Sequence, residues 1–198
     1  MPTLPADLSL HPAVAAWFHD RFPEGPTEAQ AEGWPLVRGG RDVLIAAPTG
    51  SGKTLAGFLM AIDDAYRAHQ SGTVLAGRTR VVYVSPLKAL AVDVHQNLER
   101  PLAEIAETAK RLDLDWAPVT VAVRTGDTPS SARSAMVKDP PTILVTTPES
   151  LYLYLTAERS RATLTAVRTV IVDEIHALAR DKRGSHLTLS LERLEHVQ

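Results

Sequence analysis

Residues 47–54 read Ala47-Pro48-Thr49-Gly50-Ser51-Gly52-Lys53-Thr54, and this stretch decides the fold class. A short apolar run, Asp42-Val43-Leu44-Ile45-Ala46, stands before it. After it comes a helical stripe of Leu55, Phe58, Leu59, Ile62 and Tyr66. Strand, glycine-rich turn and helix is the setting in which successive backbone N–H groups face an anion. In such a loop Pro48, Thr49, Gly50, Ser51 and Gly52 wrap the phosphates of a nucleotide. Lys53 reaches the β- and γ-phosphates, and the Thr54 hydroxyl holds Mg²⁺. The first position is Ala47 where the strict pattern has glycine, so the reading rests on the other positions.

Working outward, 198 residues suffice for one α/β domain with a proper core. Hydrophobic content of 44% and charged content of 22% are those of a globular chain. No apolar run approaches the roughly 20 residues of a membrane span, and the N-terminus lacks the layout of a signal peptide. A cytoplasmic protein without membrane contact is expected. The absence of cysteine excludes a disulfide framework and a zinc ribbon. A net charge of −2 excludes global attraction to a polyanion, so any nucleic-acid contact must come from local groups and helix N-termini.

Along the chain, residues 1–11 read as Pro-rich and loosely held. A helix follows from Pro12, with Val14, Trp17 and Phe18 on one face. A second is announced by Thr27 as N-cap with Gln30 at the capping-box position, and Gly39-Gly40 closes it. Strands are expected at 42–46, 80–84, 119–123, 142–146 and 169–172, each apolar and β-branched. Helices fall between them, one expected to break or kink at Pro101, and the last begins near Ser185. Trp17, Trp34 and Trp116 sit among apolar neighbours and read as core. Alternating strands and helices with continuous apolar strands predict an α/β fold with a mostly parallel sheet covered on both faces. The polar clusters fall at the carboxyl ends of the strands, where open α/β sheets bind ligands.

The second chemical signal is Val170-Ile171-Val172-Asp173-Glu174-Ile175-His176. A buried strand delivering Asp-Glu at its tip completes a phosphate-loop site. Asp173 would hold Mg²⁺, directly or through water, and Glu174 would orient and polarise the attacking water. His176 reads either as a structural hydrogen-bonding group or, by its place three residues after Asp173, as part of the catalytic set.

These motifs together resemble the DExH-box helicases of superfamily 2. Phe22 with Pro26-Thr27-Glu28-Ala29-Gln30 resembles the Q-motif region, which implies that Gln30 reads the adenine edge. Residues 47–54 are motif I, Ser85-Pro86-Leu87-Lys88-Ala89-Leu90 resembles motif Ia, and Arg124-Thr125-Gly126-Asp127-Thr128 resembles motif Ib. Thr147-Pro148-Glu149-Ser150-Leu151 resembles the next strand-contacting motif, and Asp173-Glu174-Ile175-His176 is motif II. Three longer strings, SPLKALAVDVHQNL, TTPESLYLYL and DEIHALARDKRGSHLTLSLERL, are similar to the large helicase-related (Lhr) proteins.

The resemblance implies a three-layer P-loop NTPase fold of the RecA-like type, with ATP and Mg²⁺ as cofactors. It implies that Pro86, Lys88, Thr125, Gly126, Thr147, Pro148 and Glu149 grip the backbone of a single or partly duplex strand, DNA more than RNA, in a repair setting. Arg180, Lys182 and Arg183 read as nucleic-acid contacts or as a solvated basic loop. It divides the chain into 1–24, a leading segment and helix, and 25–198, an ATP-binding RecA-like domain 1. It also implies a second RecA-like domain in cis, which supplies arginines to the transferring phosphate. The Ser-Ala-Thr motif and its strand are not found after motif II, so the domain reads as incomplete. A gap is therefore expected between the strands at 42–46 and 169–173, which direct main-chain pairing would contradict. One alternative reading is a module that binds ATP and single strands with little turnover. Another, a GTPase or small-molecule kinase, finds no guanine-reading Asn/Thr-Lys-x-Asp segment.

Overall fold

Four short strands carry the architecture: β1 (Val81–Val84), β2 (Val121–Arg124), β3 (Ile143–Thr146) and β4 (Thr169–Val172). They form one sheet in the order β2-β3-β1-β4, and every pairing is parallel. The computed structural model describes residues 8–48, 52–179 and 181–197, with nothing described for the side chain of Gln96. The helices are α1 (Pro12–Arg21), α2 (Glu28–Arg38), α3 (Lys53–Gln70), α4 (Lys88–Arg111), α5 (Ser130–Lys138), α6 (Pro148–Thr156), α7 (Glu158–Ala162) and α8 (Lys182–Glu195). The chain divides into two units, Met1–Thr73 with Ala103–Ala117, and Val74–Leu102 with Pro118–Gln198.

In the second unit β1 and β3 are buried at every residue, as befits inner strands of a parallel sheet. Val82, Val84 and Leu144 face one side and pack with Leu151, Tyr154 and Leu155 of α6 and Leu187 and Leu194 of α8. Val81, Tyr83, Ile143 and Val145 alternate to the other side and are equally buried. β4 pairs with β1 alone among the described residues and is only half-covered. Each strand passes its polar terminal residues to the same edge, because parallel strands share one carboxyl end.

The first unit is helical. Its buried residues include Trp17 and Phe18 of α1, Trp34 of α2, Leu59, Ile62 and Tyr66 of α3, and Ile105 and Ala109 from the end of α4. Trp34 and Phe18 meet edge to face at 5.3 Å. A carboxylate lies among them: Asp63 is fully buried and accepts hydrogen bonds from the His11 backbone N–H, Arg38 and Arg67.

Five sequence expectations need correction. Residues 42–46 join no ladder among the described residues. Val43 and Ile45 are half-buried while Asp42, Leu44 and Ala46 are exposed, Leu44 by 77%. The apolar, β-branched run has the period-two exposure of an extended chain, but a ladder also needs a partner for its N–H and C=O groups. Of the break or kink expected at Pro101, the break is not found, since α4 runs from Lys88 to Arg111 with Pro101 inside it. Val94 and Leu98 before the proline and Ile105 and Ala109 after it are buried, and that anchorage outweighs one lost backbone bond. Residues 8–11 are not loose: Leu8, Leu10 and His11 are buried, since His11 is tied to Asp63. Trp116 is 48% exposed instead of core, lying under the Lys110 ammonium just past the end of α4. The last helix starts at Lys182, three residues earlier than Ser185, because Asp181 caps it. Among the described residues no helix is long and apolar enough to cross a membrane.

Candidate nucleotide and nucleic-acid site

Gly52 is the N-cap of α3, in a left-handed conformation with φ of 81°. The positive φ favours glycine here, and a Cβ would stand 2.6 Å from Gln30 Nε2, so it would push that side-chain amide aside. Among the described residues no side chain caps α3, whose first N–H groups lack intrahelical partners. Lys53 folds its ammonium onto the Ala47 carbonyl and, at 3.0 Å, the Pro48 carbonyl. Thr54 is exposed on the first turn. An uncapped helix N-terminus, a glycine with positive φ and an ammonium in one turn fit a phosphate group. Thr49, Gly50, Ser51 and Arg180 lie outside the described residues.

Gln30 belongs to this region through two separate bonds. Its Oε1 accepts from the Thr27 N–H at 3.0 Å, completing the capping box of α2, while its Nε2 donates to the Gly52 carbonyl at 3.2 Å. The amide is buried, and both its ends are engaged.

At the carboxyl edge of the sheet, β4 delivers Asp173. Its Oδ1 accepts from the Glu174 N–H at 2.9 Å and its Oδ2 accepts from the Tyr83 hydroxyl of β1. Glu174 adopts a left-handed backbone, φ of 47°, and heads a 3-10 turn at Ile175–Ala177. Its Oε2 lies 3.2 Å from His176 Nε2. Burial first, then the hydrogen bond and charge of Asp173, raise the Tyr83 phenol far above its ordinary range, so it remains a donor. Among the described residues no group of three or more His, Cys, Asp or Glu side chains is arranged to hold a metal ion by itself.

The other strand ends carry the remaining candidates. After β1, Lys88 pairs with Asp127 at 2.7 Å, and its ammonium lies 3.5 Å from where a Cβ on Gly126 would stand. After β2, Thr125 Oγ1 accepts from the Asp127 N–H at 3.4 Å, and Arg133 donates to the Gly126 and Thr128 carbonyls at 2.7 and 2.6 Å. After β3, Thr147 caps α6 and Pro148 and Glu149 form its first turn, with no side-chain cap bond. Pro86 offers its carbonyl to Arg183 at 2.6 Å, and Arg183 Nε donates to Glu149 Oε1 at 2.6 Å.

Arg183 is therefore ion-paired with Glu149 and not freely solvated. Tyr83 and Arg133 were not picked out from sequence. A buried tyrosine hydroxyl inside an otherwise apolar strand is the one signal that marked Tyr83, since such a group must find a partner.

Residues 27–198 match the family model described as DEAD/DEAH box helicase. The chain is 54% identical over 184 residues to a protein of Mycolicibacterium smegmatis named Lhr helicase/probable uracil glycosylase, covering 91% of this chain and 12% of that one. It is 48% identical over 187 residues to the Lhr helicase/uracil glycosylase of Escherichia coli, covering 93% and 12%. The solved structure of Mycobacterium smegmatis helicase Lhr bound to ssDNA and AMP-PNP superposes with a TM-score of 0.86 at 52% identity, over 95% of this chain and 23% of that one. The chain thus spans about an eighth to a quarter of the length of these relatives, and its α/β fold with an all-parallel sheet is that of their RecA-like domains. With the family model covering most of its length and half its residues shared with Lhr helicases, this chain belongs to the DEAD/DEAH box helicases.

Proposed function

We propose that this chain is the ATP-binding part of a nucleic-acid-dependent ATPase that couples ATP hydrolysis to movement along a strand, DNA more than RNA. The observation that carries the reading is the shared carboxyl edge of β2, β3, β1 and β4, where Arg124-Thr125-Gly126, Thr147-Pro148-Glu149, Ser85-Pro86 and Asp173-Glu174 all emerge. The ssDNA and AMP-PNP bound by the Lhr helicase of known structure support it. On this reading residues 25–198 act as the ATP-binding domain, with 1–24 as its leading segment.

When bound, Mg·ATP supplies the phosphoanhydride bond and a divalent charge. The chain's residues divide the work around it. The N–H groups at the start of α3, with Pro48, Thr49, Gly50, Ser51 and Gly52, cradle phosphates, and Lys53 neutralises them by leaving its loop carbonyls. Thr54 and Asp173 would hold Mg²⁺. Glu174 orients the attacking water and takes its proton at Oε2, with His176 steadying that carboxylate. Gln30 reads adenine by exchanging its bond to Gly52. Pro86, Lys88, Thr125, Gly126, Thr147 and Pro148 hold the sugar-phosphate backbone through hydroxyls and helix N-termini, which is sequence-tolerant.

A second reading follows from the small share of the relatives that the chain spans: a module that binds ATP and single strands and depends on a second RecA-like domain in cis for turnover. ATP hydrolysis and nucleotide binding by the 198-residue chain, with and without oligo(dT), separate the two. Strand-stimulated turnover that Lys53→Ala and Glu174→Gln both abolish supports the first. Binding of both ligands without turnover supports the second, and no binding of either overturns both.

A further inference from the structure

Arg183 stands outside every role assigned above, yet it touches two of the strand-end segments. It occupies the first turn of α8, where its backbone N–H and that of Gly184 donate to Asp181 Oδ1 at 2.9 and 3.1 Å. Its guanidinium leaves the helix and forks. Nε donates to Glu149 Oε1 at 2.6 Å, while Nη2 donates to Glu149 Oε2 at 3.4 Å and to the Pro86 carbonyl at 2.6 Å. One planar group thereby joins the segment after β1 to the first turn of α6 after β3.

The origin of that fork is also fixed. Gly184 lies so close to Leu178 that a Cβ would stand 2.0 Å from the Leu178 carbonyl oxygen. Leu178 ends the 3-10 turn opened by Glu174, with its N–H donating to the Ile175 carbonyl. A continuous line of contacts thus runs from Asp173–Glu174 through the turn and Gly184 to Arg183, and from there to Pro86 and Glu149.

Glu149 poses a separate puzzle. A carboxylate in the path of a phosphate backbone repels it. Burial alone would raise its pKa, but the hydrogen bond from Arg183, then that from its own backbone N–H, the Arg183 charge and the Thr147 hydroxyl hold it below the ordinary carboxylate value. The Arg183 guanidinium is in turn raised, chiefly by its hydrogen bond to Glu149. The pair is matched to itself.

We propose that Arg183 is a positioning residue that locks the strand-gripping segments at Pro86 and Thr147–Glu149 to the turn following Asp173-Glu174, with Glu149 serving as its anchor instead of touching the strand. This rests on the reading that those segments hold a nucleic-acid strand. Its signature is the response to losing a negative charge. Simple electrostatics has Glu149→Gln tighten strand binding, whereas loss of an anchor weakens it.

The test is fluorescence anisotropy of labelled oligo(dT)20 binding to the full 198-residue chain with Mg²⁺ and AMP-PNP. Arg183→Ala and Glu149→Gln are each expected to weaken binding roughly three- to tenfold, with the double variant no weaker than either single one. Arg183→Lys keeps the charge but not the fork and is expected to bind as weakly as Arg183→Ala. Tighter binding by Glu149→Gln, recovery by Arg183→Lys, or affinities equal to wild type would overturn the proposal. Thermal melts accompany each variant, and Glu149→Gln carries the test if an Arg183 variant fails to fold. Wild type that does not bind oligo(dT)20 would overturn the strand reading itself and this proposal with it.

Discussion

Tyr83 of β1 donates its hydroxyl hydrogen bond to Asp173 Oδ2 at the tip of the neighbouring strand. The two residues are 90 positions apart and meet because β1 and β4 run in register, Tyr83 beside Ile171. With the Glu174 N–H on Oδ1, each carboxylate oxygen carries one donor, which fixes the plane of the group. Tyr83→Phe preserves the buried ring and removes only that donor. It is expected to cost about 1.5–3 kcal/mol, read from urea unfolding, as for a hydrogen bond to a charged group. If Asp173 holds Mg²⁺ as proposed, the Mg²⁺ concentration for half-maximal nucleotide binding also rises. A variant matching wild type in both measurements would show that the bond has no part in holding Asp173.

The start of α1 makes stability depend on pH. His11 caps the helix with its ring, Nδ1 accepting from the Ala13 N–H at 3.3 Å, which only the neutral ring can do. Burial lowers its pKa below the ordinary 6.5; Asp63 opposes this, and Arg67 adds to it. The unfolded chain therefore takes up the proton first. Stability from this group is complete above pH 6.5 and is lost as pH falls through the lower folded value. His11→Asn, a cap that does not titrate, is expected to flatten the fall in stability between pH 7.5 and 5.5. Parallel pH profiles for the two proteins would contradict this.

Those two relationships mark the border of what was legible in the chain. The edge of the site could be read because β1 is apolar to Val84 and β3 to Val145, after which the chain turns polar at Ser85 and at Thr146-Thr147. A two-sided parallel sheet imposes that pattern locally. The start of α3 at Gly52-Lys53 could be read because it is written in consecutive residues. Tyr83 with Asp173 and Arg183 with Glu149 leave no such pattern, since their meeting is set by strand order and by where α8 begins. Residues 42–46 show the converse: apolar alternation specified an extended chain but could not specify a partner.

The buried Asp63 is expected to be the costliest single position in the helical unit. It is fully enclosed and receives Arg38, Arg67 at 2.7 Å and the His11 N–H, while Arg38 Nε is itself buried with no hydrogen-bond partner among the described residues. Asp63→Asn leaves two guanidinium groups without their common anion and should destabilise by about 3–5 kcal/mol. Asp64→Asn removes a half-exposed partner of the same Arg38 and should cost far less. Guanidinium chloride midpoints of the two variants decide the matter, and equal shifts would show that Asp63 is no special anchor.

Gly184 reverses the usual rule for a helical glycine. Replacing glycine by alanine inside a helix ordinarily stabilises by up to about 1 kcal/mol, because the unfolded chain loses freedom. At Gly184 the new methyl would stand 2.0 Å from the Leu178 carbonyl oxygen and 2.9 Å from its carbon, both backbone atoms that cannot rotate aside. Either the first turn of α8 or the 3-10 turn must then shift, and overpacking of that kind costs on the order of 1–3 kcal/mol. Because Arg183 precedes Gly184 directly, the displacement also pulls the guanidinium from Glu149 and Pro86. Gly184→Ala should therefore lower the thermal midpoint and weaken oligo(dT)20 binding together, whereas Arg183→Ala weakens binding with little change in melting. A Gly184→Ala protein as stable as wild type would mean that the approach of α8 to Leu178 is looser than this contact requires.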